Sequence, residues 1–299
     1  MPQPSHCSPK VDVDNRSPVK SCFTYPMLLL IARMYNQTHS NKIEITKSRS
    51  KLWKDLQKRL DNACGNNEAC WIEQPFVSDK KQEVLEAQFR PEKPSTWKNN
   101  PREWLNTYDI LDVMKQYEDS DKTYKFLGVF PVDFAHRNSA TGICVVQDMC
   151  DLNVAESWAA GVRQIGVIFN LDKSTESGSH WVSLFIGLDP RRKTFGVYYY
   201  DSVASKPPKE IAAFMRLIRS DLRKLHGDKK TKTMPFAVNK VRRQYKGTEC
   251  GLFSMLFQIM MLSNRHFDVV CEKMGYDDDV HKFRDLLYRP SQVTTNSSR

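Results

Sequence analysis

Four side chains follow one another along the chain in places where covalent chemistry would need them. His180 opens the apolar run HWVSLFIGL, and Asp201 closes the next run, in YYYDS. Gln244 lies just after MPFAVNKV, and Cys250 heads the run CGLFSMLFQIMML. A thiol attacks as a thiolate, and the aligned amides at a helix start favour an anion there. An imidazole beside it acts as general base and later protonates a leaving amine. A carboxylate at the other ring nitrogen fixes the tautomer and stabilises the cation. A Gln side-chain amide, with the backbone N–H of the nucleophile, supplies two donors to the oxyanion of a tetrahedral intermediate. Each residue also has a plain reading. A single His at a strand start is often structural, and a Cys in an apolar helix is often a small hydrophobe. Asp201 alone reads as the start of a turn, Asp189 and Asp172 compete for its role, and Gln244 alone carries no signal. Composition and spacing leave the catalytic and structural readings balanced.

The flanking elements are the ones such a site requires. Gln164 to Asn170, His180 to Leu188 and Thr194 to Tyr200 are short β-branched or aromatic runs between polar turns, which predicts strands, and Met234 to Val241 predicts a fourth. Between the last two, Ile211, Met215, Ile218, Leu222 and Leu225 form one face of a helix, with Pro207 and Pro208 at its start and Gly227 at its end. The run from Cys250 is apolar almost all round and predicts a helix buried in a core. Residues 277 to 288 predict a last helix whose opening acids suit the helix dipole. Upstream, residues 26 to 85 read as helical, with Leu52, Trp53, Leu56 and Leu60 near 3.6-residue spacing, and a helix is predicted from Trp104 to Tyr117. The organisation expected is a loose tail over 1–20, a helical arm over 21–90, a core over 91–290 and a short tail over 291–299, with the proline-bearing stretch 88–103 as the boundary.

The chain has 299 residues, 40% of them hydrophobic and 27% charged, which suits a globular protein and excludes a wholly disordered one. No apolar run approaches the roughly 18 residues of a membrane span, and YPMLLLI starts too far in for a secretory signal. That predicts a reducing compartment, and with it eight cysteines that are mostly free, buried thiols. No spacing among them suits a metal, so neither metal nor cofactor is expected.

His180-Trp181 in a strand, an acid closing the next strand, and Gln244-Tyr-Lys-Gly-Thr-Glu-Cys250-Gly251 before an apolar helix resemble the Ulp1/adenain-like cysteine proteases. The order His, Asp, Gln, Cys is that family's order. The likeness extends to the branch of large DNA virus maturation proteases represented by African swine fever virus, through ACWIEQPFV, SGSHWVSLFIGLD, YYYDSVASKPP, TECG and KFRDLLYR. Where that branch carries Asn as third member, this chain has Asp201, as SUMO-deconjugating proteases do. The resemblance implies an α+β protease core with a central mixed sheet flanked by helices, plus an N-terminal helical arm. It implies a cysteine endopeptidase that cleaves after Gly-Gly or a similar small pair, with Trp181 roofing a narrow substrate channel. It implies processing of a viral structural polyprotein with Gly-Gly-X sites during virion maturation, in host cytoplasm and virion rather than in a secreted form.

Two other readings stand beside this one. The first is a protease for SUMO- or ubiquitin-like conjugates. The second is a basic nucleic-acid-binding protein on a protease-like fold, because residues 205–246 hold thirteen Lys or Arg and three acids, an excess equal to the whole chain's +10. Arg216, Arg219 and Arg223 on one helix face, Lys229, Lys230 and Lys232 in a loop, and Arg242, Arg243 and Lys246 before the nucleophile are candidates for DNA or another acidic partner. A solvated basic face is the plainer account of them.

Overall fold

A computed structural model describes residues 6–11, 20–77 and 81–290. The expected tails over 1–20 and 291–299 fall partly or wholly outside them. The chain divides into two compact units, one of residues 1–95 with 285–299 and one of residues 96–284.

The first unit is helical. Its helices are α1 (Tyr25–Thr38), α2 (Arg49–Cys64), α3 (Glu68–Glu73) and α4 (Lys81–Gln88). Helix α1 starts with Pro26 in its first turn, and α2 starts where the Ser48 side chain accepts the Lys51 N–H. Leu52, Leu56 and Leu60 are buried as the spacing predicts, while Trp53 is half-buried and lies 5.9 Å from the Trp71 ring. Trp53 donates its indole N–H to Glu68, whose burial pushes its carboxyl above the usual carboxylate range. Residues 6–11 are not a loose tail. The Ser8 N–H donates to Gln88 O at 2.9 Å, Arg90 N–H donates to His6 O at 2.8 Å, and Cys7 is bonded to Cys22. Arg289 returns to this unit, paired with Glu92 at 2.7 Å and Glu73 at 3.5 Å.

The second unit holds α5 (Thr107–Ser120), β1 (Tyr124–Pro131), α6 (Gln147–Cys150), α7 (Val154–Ala159), β2 (Gln164–Asn170), β3 (Trp181–Gly187) and β4 (Gly196–Tyr200). Then come α8 (Lys209–His226), α9 (Asp228–Thr231), β5 (Phe236–Val238), α10 (Cys250–Leu262), α11 (Phe267–Lys273) and α12 (Asp277–His281), with α13 (Arg284–Leu287) at the unit boundary. The sheet has the order β1-β2-β3-β4-β5. Its outer pairs, β1 with β2 and β4 with β5, are parallel, and its inner pairs are antiparallel, so the sheet is mixed.

Alternation along the central strands gives each face its own helices. Leu184, Ile186, Val197 and Tyr199 share a core with Ile211, Met215, Ile218 and Leu222 of α8. Tyr198 and Tyr200 point the other way and stack on Phe267 and Phe257. Both faces are covered, which is why β2 and β3 are continuous apolar runs. Strand β1 was not predicted, although its buried Tyr124, Phe126 and Gly128 alternate with more exposed residues as a half-buried strand does. The predicted helix over 277–288 is two short helices, α12 and α13.

The cysteines correct the expectation of free thiols. Cys7–Cys22, Cys64–Cys70 and Cys144–Cys150 are disulfides, with Cα separations of 5.2, 5.5 and 6.6 Å. Only Cys250 and Cys271 are free among the described residues. The two pairs spaced six apart meet because a turn or helix start folds the intervening chain back. The reducing compartment thus finds no support in the cysteines.

Candidate active site

The register of β3 and β4 decides where the first two residues lie. Ser183 faces Tyr200 across the antiparallel pair, so His180 and Asp201 leave the sheet at the same end. His180 Nε2–H donates to Asp201 Oδ1 at 2.7 Å. Asp201 is fully buried, and its carboxylate also accepts the N–H groups of Val203 and Ser205, each at 3.0 Å. Asn239 fixes the backbone at this point. Its Oδ1 accepts the Asp201 N–H at 2.8 Å, and its Nδ2 donates to Asp201 O at 2.7 Å. The competing acids are occupied elsewhere. Asp189 holds Arg191, and Asp172 accepts from Gly178 and Ser179.

Cys250 reaches the imidazole through the seating of α10 across the sheet. Gln258, buried on that helix, donates to Ser183 Oγ at 2.7 Å and Leu184 O at 2.9 Å. Gly166 on β2 leaves the space, since a Cβ there would lie 2.4 Å from Gln258 Oε1. The N-terminus of α10 thereby brings Cys250, 1% exposed, into interaction with His180. Burial works against the charged ring, but the bonds to Asp201 and Cys250 and their negative charges outweigh it and push its pKa up to about 9. At neutral pH the ring is therefore an imidazolium.

Gln244 is also brought in. Its backbone N–H donates to Ser202 O at 3.0 Å, and its Oε1 accepts from Ser202 Oγ at 2.5 Å. Its Nε2 donates to Lys246 O at 2.7 Å, which leaves that nitrogen a second N–H. The N–H of Cys250 belongs to the first turn of α10 and has no intrahelical acceptor. Trp181 is buried, donates its indole N–H to Leu105 O at 2.9 Å and packs on the nucleophile's neighbour. A Cβ on Gly251 would lie 3.3 Å from Trp181 Cδ1 and 3.1 Å from Leu105. Trp181 also walls a cleft of about 530 Å³ that runs past Trp104, Leu105, Phe130, Val145 and Gly178. All five residues singled out in the sequence therefore lie together. Asn239, Ser202, Gln258 and Leu105 were not foreseen, because each acts through a bond to a residue far away in sequence.

The Ulp1 protease family, through its C-terminal catalytic domain, matches residues 138–293. The chain belongs to this family. It is accordingly a cysteine protease, in keeping with its viral relatives. This Ulp1-family protease is 28% identical to a thiol protease of Acanthamoeba polyphaga mimivirus, over 95% of this chain and 93% of that protein. It is 25% identical to a SUMO-1 cysteine protease of African swine fever virus, over 78% of this chain and 86% of that one. Its fold matches the crystal structure of an African swine fever virus protease with a TM-score of 0.70 and 19% identity, over 97% of this chain and 98% of that one. The α+β core with a mixed sheet flanked by helices is that fold. No helix among the described residues is long and apolar enough to cross a membrane.

Proposed function

We propose that this protease cleaves polypeptides after Gly-Gly-type small-residue sites by a Cys-His-Asp mechanism, and that it processes viral structural polyproteins during virion maturation. The observation that carries the reading is the 2.7 Å bond from His180 to buried Asp201, with Cys250 interacting with the same ring. The Cys250 sulfur attacks the scissile carbonyl carbon. Gln244 Nε2–H and the Cys250 backbone N–H hold the oxyanion. With Nε2 committed to Asp201, the imidazolium gives its Nδ1 proton to the leaving amine, and a thioester remains. His180, now neutral, takes a proton from the water that hydrolyses the thioester. Asp201 keeps the ring oriented throughout.

The preference for small residues rests on Trp181. The ring reaches within 3.3 Å of where a Gly251 Cβ would stand and also lines the cleft, a placement from which it would narrow a path to the sulfur. The virion reading is supported by the viral relatives and by the three disulfides, which persist in oxidising settings such as virions better than in a cytosol. A second reading, deconjugation of a SUMO-like protein, is favoured by the name of one relative, a SUMO-1 cysteine protease. DNA is not proposed as a partner. Several basic side chains of 205–246 already have local partners: Arg219 lies over Phe236, Arg242 over Tyr245, Arg243 over Tyr276, and Lys246 pairs with Asp278.

The test is hydrolysis of a Gly-Gly-X peptide set and of a SUMO conjugate by wild type, Cys250→Ala and Trp181→Ala. Cleavage after Gly-Gly that vanishes in Cys250→Ala is expected, with Trp181→Ala admitting larger residues at the cleaved pair. Unchanged cleavage in Cys250→Ala would remove the thiol mechanism. Unchanged preference in Trp181→Ala would remove the channel.

A further inference from the structure

The segment from Gln244 to Cys250 carries both proposed oxyanion donors, yet none of residues 244–249 lies in a helix or strand. Its conformation is set from outside, by side chains of residues 277–284. Asp277, 4% exposed, accepts the Tyr245 N–H on Oδ2 at 2.8 Å and the Lys246 N–H on Oδ1 at 3.1 Å. These N–H groups belong to the 244–245 and 245–246 peptides, which one carboxylate keeps from rotating independently, so the backbone leaving Gln244 is fixed while its side-chain amide donates to Lys246 O at 2.7 Å. At the other end, Glu249 occupies the residue just before α10, makes no side-chain capping bond and is fully buried beside the nucleophile. Its Oε1 accepts from His281 Nδ1 at 2.8 Å and from Arg102 Nη1 at 3.2 Å. Its Oε2 accepts from Arg284 Nη2 at 3.1 Å and Nε at 3.3 Å. Arg284 is itself 3% exposed, lies over the Trp97 ring and donates to Glu103 O at 2.6 Å.

A buried carboxylate next to the nucleophilic sulfur is costly on two counts. It must be desolvated, and its charge opposes the anion forming on sulfur. The cations around Glu249 offset both. Neither Asp277 nor Glu249 has a place in the proposed chemical steps. We propose that Asp277 and the Glu249–Arg284–His281 cluster are positioning residues, which clamp the 244–250 loop at both ends and thereby aim the Gln244 amide and the Cys250 N–H at the oxyanion. Asp277 acts through the 244–245 peptide on Gln244. Glu249 acts through the peptide that leads into Cys250. The inference rests on the oxyanion role proposed above for Gln244.

The experiment compares Asp277→Asn, Glu249→Gln and Gln244→Ala with wild type, on a Gly-Gly-X peptide. Competent sites are counted by titration, and unfolding midpoints are recorded. Alkylation of Cys250 by iodoacetamide is followed alongside, because that reaction forms no oxyanion. Burial pushes the other free thiol, Cys271, up to about 12, so it contributes little near neutral pH. In Asp277→Asn one acceptor becomes a donor, and one of the two N–H groups loses its partner. A fall in kcat per titrated site of about 10- to 100-fold is expected, since small misplacements cost that much. KM and the alkylation rate are expected within about twofold of wild type, because ground-state binding and the thiolate are untouched. Gln244→Ala sets the scale, at about 10²- to 10³-fold. Glu249→Gln should follow Asp277→Asn. If it fails to fold, Arg102→Gln replaces it; that variant loses the 3.2 Å contact to Glu249 together with the exposed bond to Asp278, so Asp278→Asn runs beside it as the control for the second bond. Full kcat per site in Asp277→Asn with only a lowered midpoint would overturn the clamp. So would an alkylation rate that falls in step with kcat. Full kcat in Gln244→Ala would instead remove the oxyanion role itself.

Discussion

The two halves of the candidate site are held by different means. His180 and Asp201 are carried by the ends of β3 and β4, whose places follow from the β-ladder and from a core on each sheet face. Gln244 and the Cys250 N–H sit at the two ends of a loop whose shape depends on Asp277, Glu249 and the arginines and His281 around Glu249. The ladder is backbone, and most side-chain changes that keep the core leave it intact. The loop is aimed by a handful of buried charges, each of which a single substitution can remove. The first half should therefore tolerate change around it, while the second should respond to residues distant in sequence.

The largest effect should come from emptying the sheet-borne half. Asp201→Ala removes the acceptor for His180 and for two backbone N–H groups, and kcat should fall by about 10³-fold or more. Asp201→Asn keeps an oxygen for Nε2–H and should lose much less, on the order of tenfold, because the strands still deliver the residue to the ring. Equal losses in the two variants, read from steady-state rates, would mean that charge rather than orientation is what Asp201 supplies.

A second prediction concerns pH. The imidazolium is needed to protonate the leaving amine, and its pKa is raised to about 9. Activity should hold through neutral pH and fall above about 9, tenfold per pH unit once the ring is neutral. Stability follows the same sign. The folded-state pKa lies above the ordinary 6.5, so the stabilisation is complete below that value and is lost as pH rises through about 9. In Asp201→Asn the alkaline limb of the pH–rate profile should move down, because one of the raising interactions loses its charge. A limb that stays in place would assign the shift to Cys250 alone.

The contrast between the halves is also a contrast in what sequence discloses. The strand over 164–170 is read to the residue, and the face of α8 is read correctly, because burial imposes a period on the residues. His180, Asp201 and Cys250 are legible because they stand where periodic runs begin or end. The clamp is not. The acids at 277–279 read from sequence as helix-dipole partners, whereas Asp277 reaches back about thirty residues to the loop. Glu249 reads as one more charged residue before an apolar helix, because its partners at 102, 281 and 284 come together only in the fold. The disulfides are hidden for a similar reason: compartment and spacing argue for free thiols, while the pairing is decided by which Cα atoms approach within bonding range.

The smallest expected effect tests whether burial, rather than charge as such, gives the loop's partners their weight. Asp278 stands next to Asp277 and bridges Lys246 at 2.7 Å and Arg102 at 2.5 Å, so it touches the same loop and the same cation that Glu249 uses. The bonds from Lys246 and then Arg102 hold its carboxyl below the usual carboxylate range. Its side chain is 67% exposed, however, so water can replace either bond when the carboxylate is lost. Asp278→Asn should change kcat by less than about fivefold, the range of exposed ion pairs, and raised salt should have little further effect. The adjacent Asp277→Asn makes the same chemical change in a buried position, and its loss should be at least several times greater. Near-equal losses in the two variants would show that the loop answers to the summed charge of the segment and not to the buried bonds, and the distinction between a ladder-held half and a clamp-held half would then have to be redrawn around long-range electrostatics.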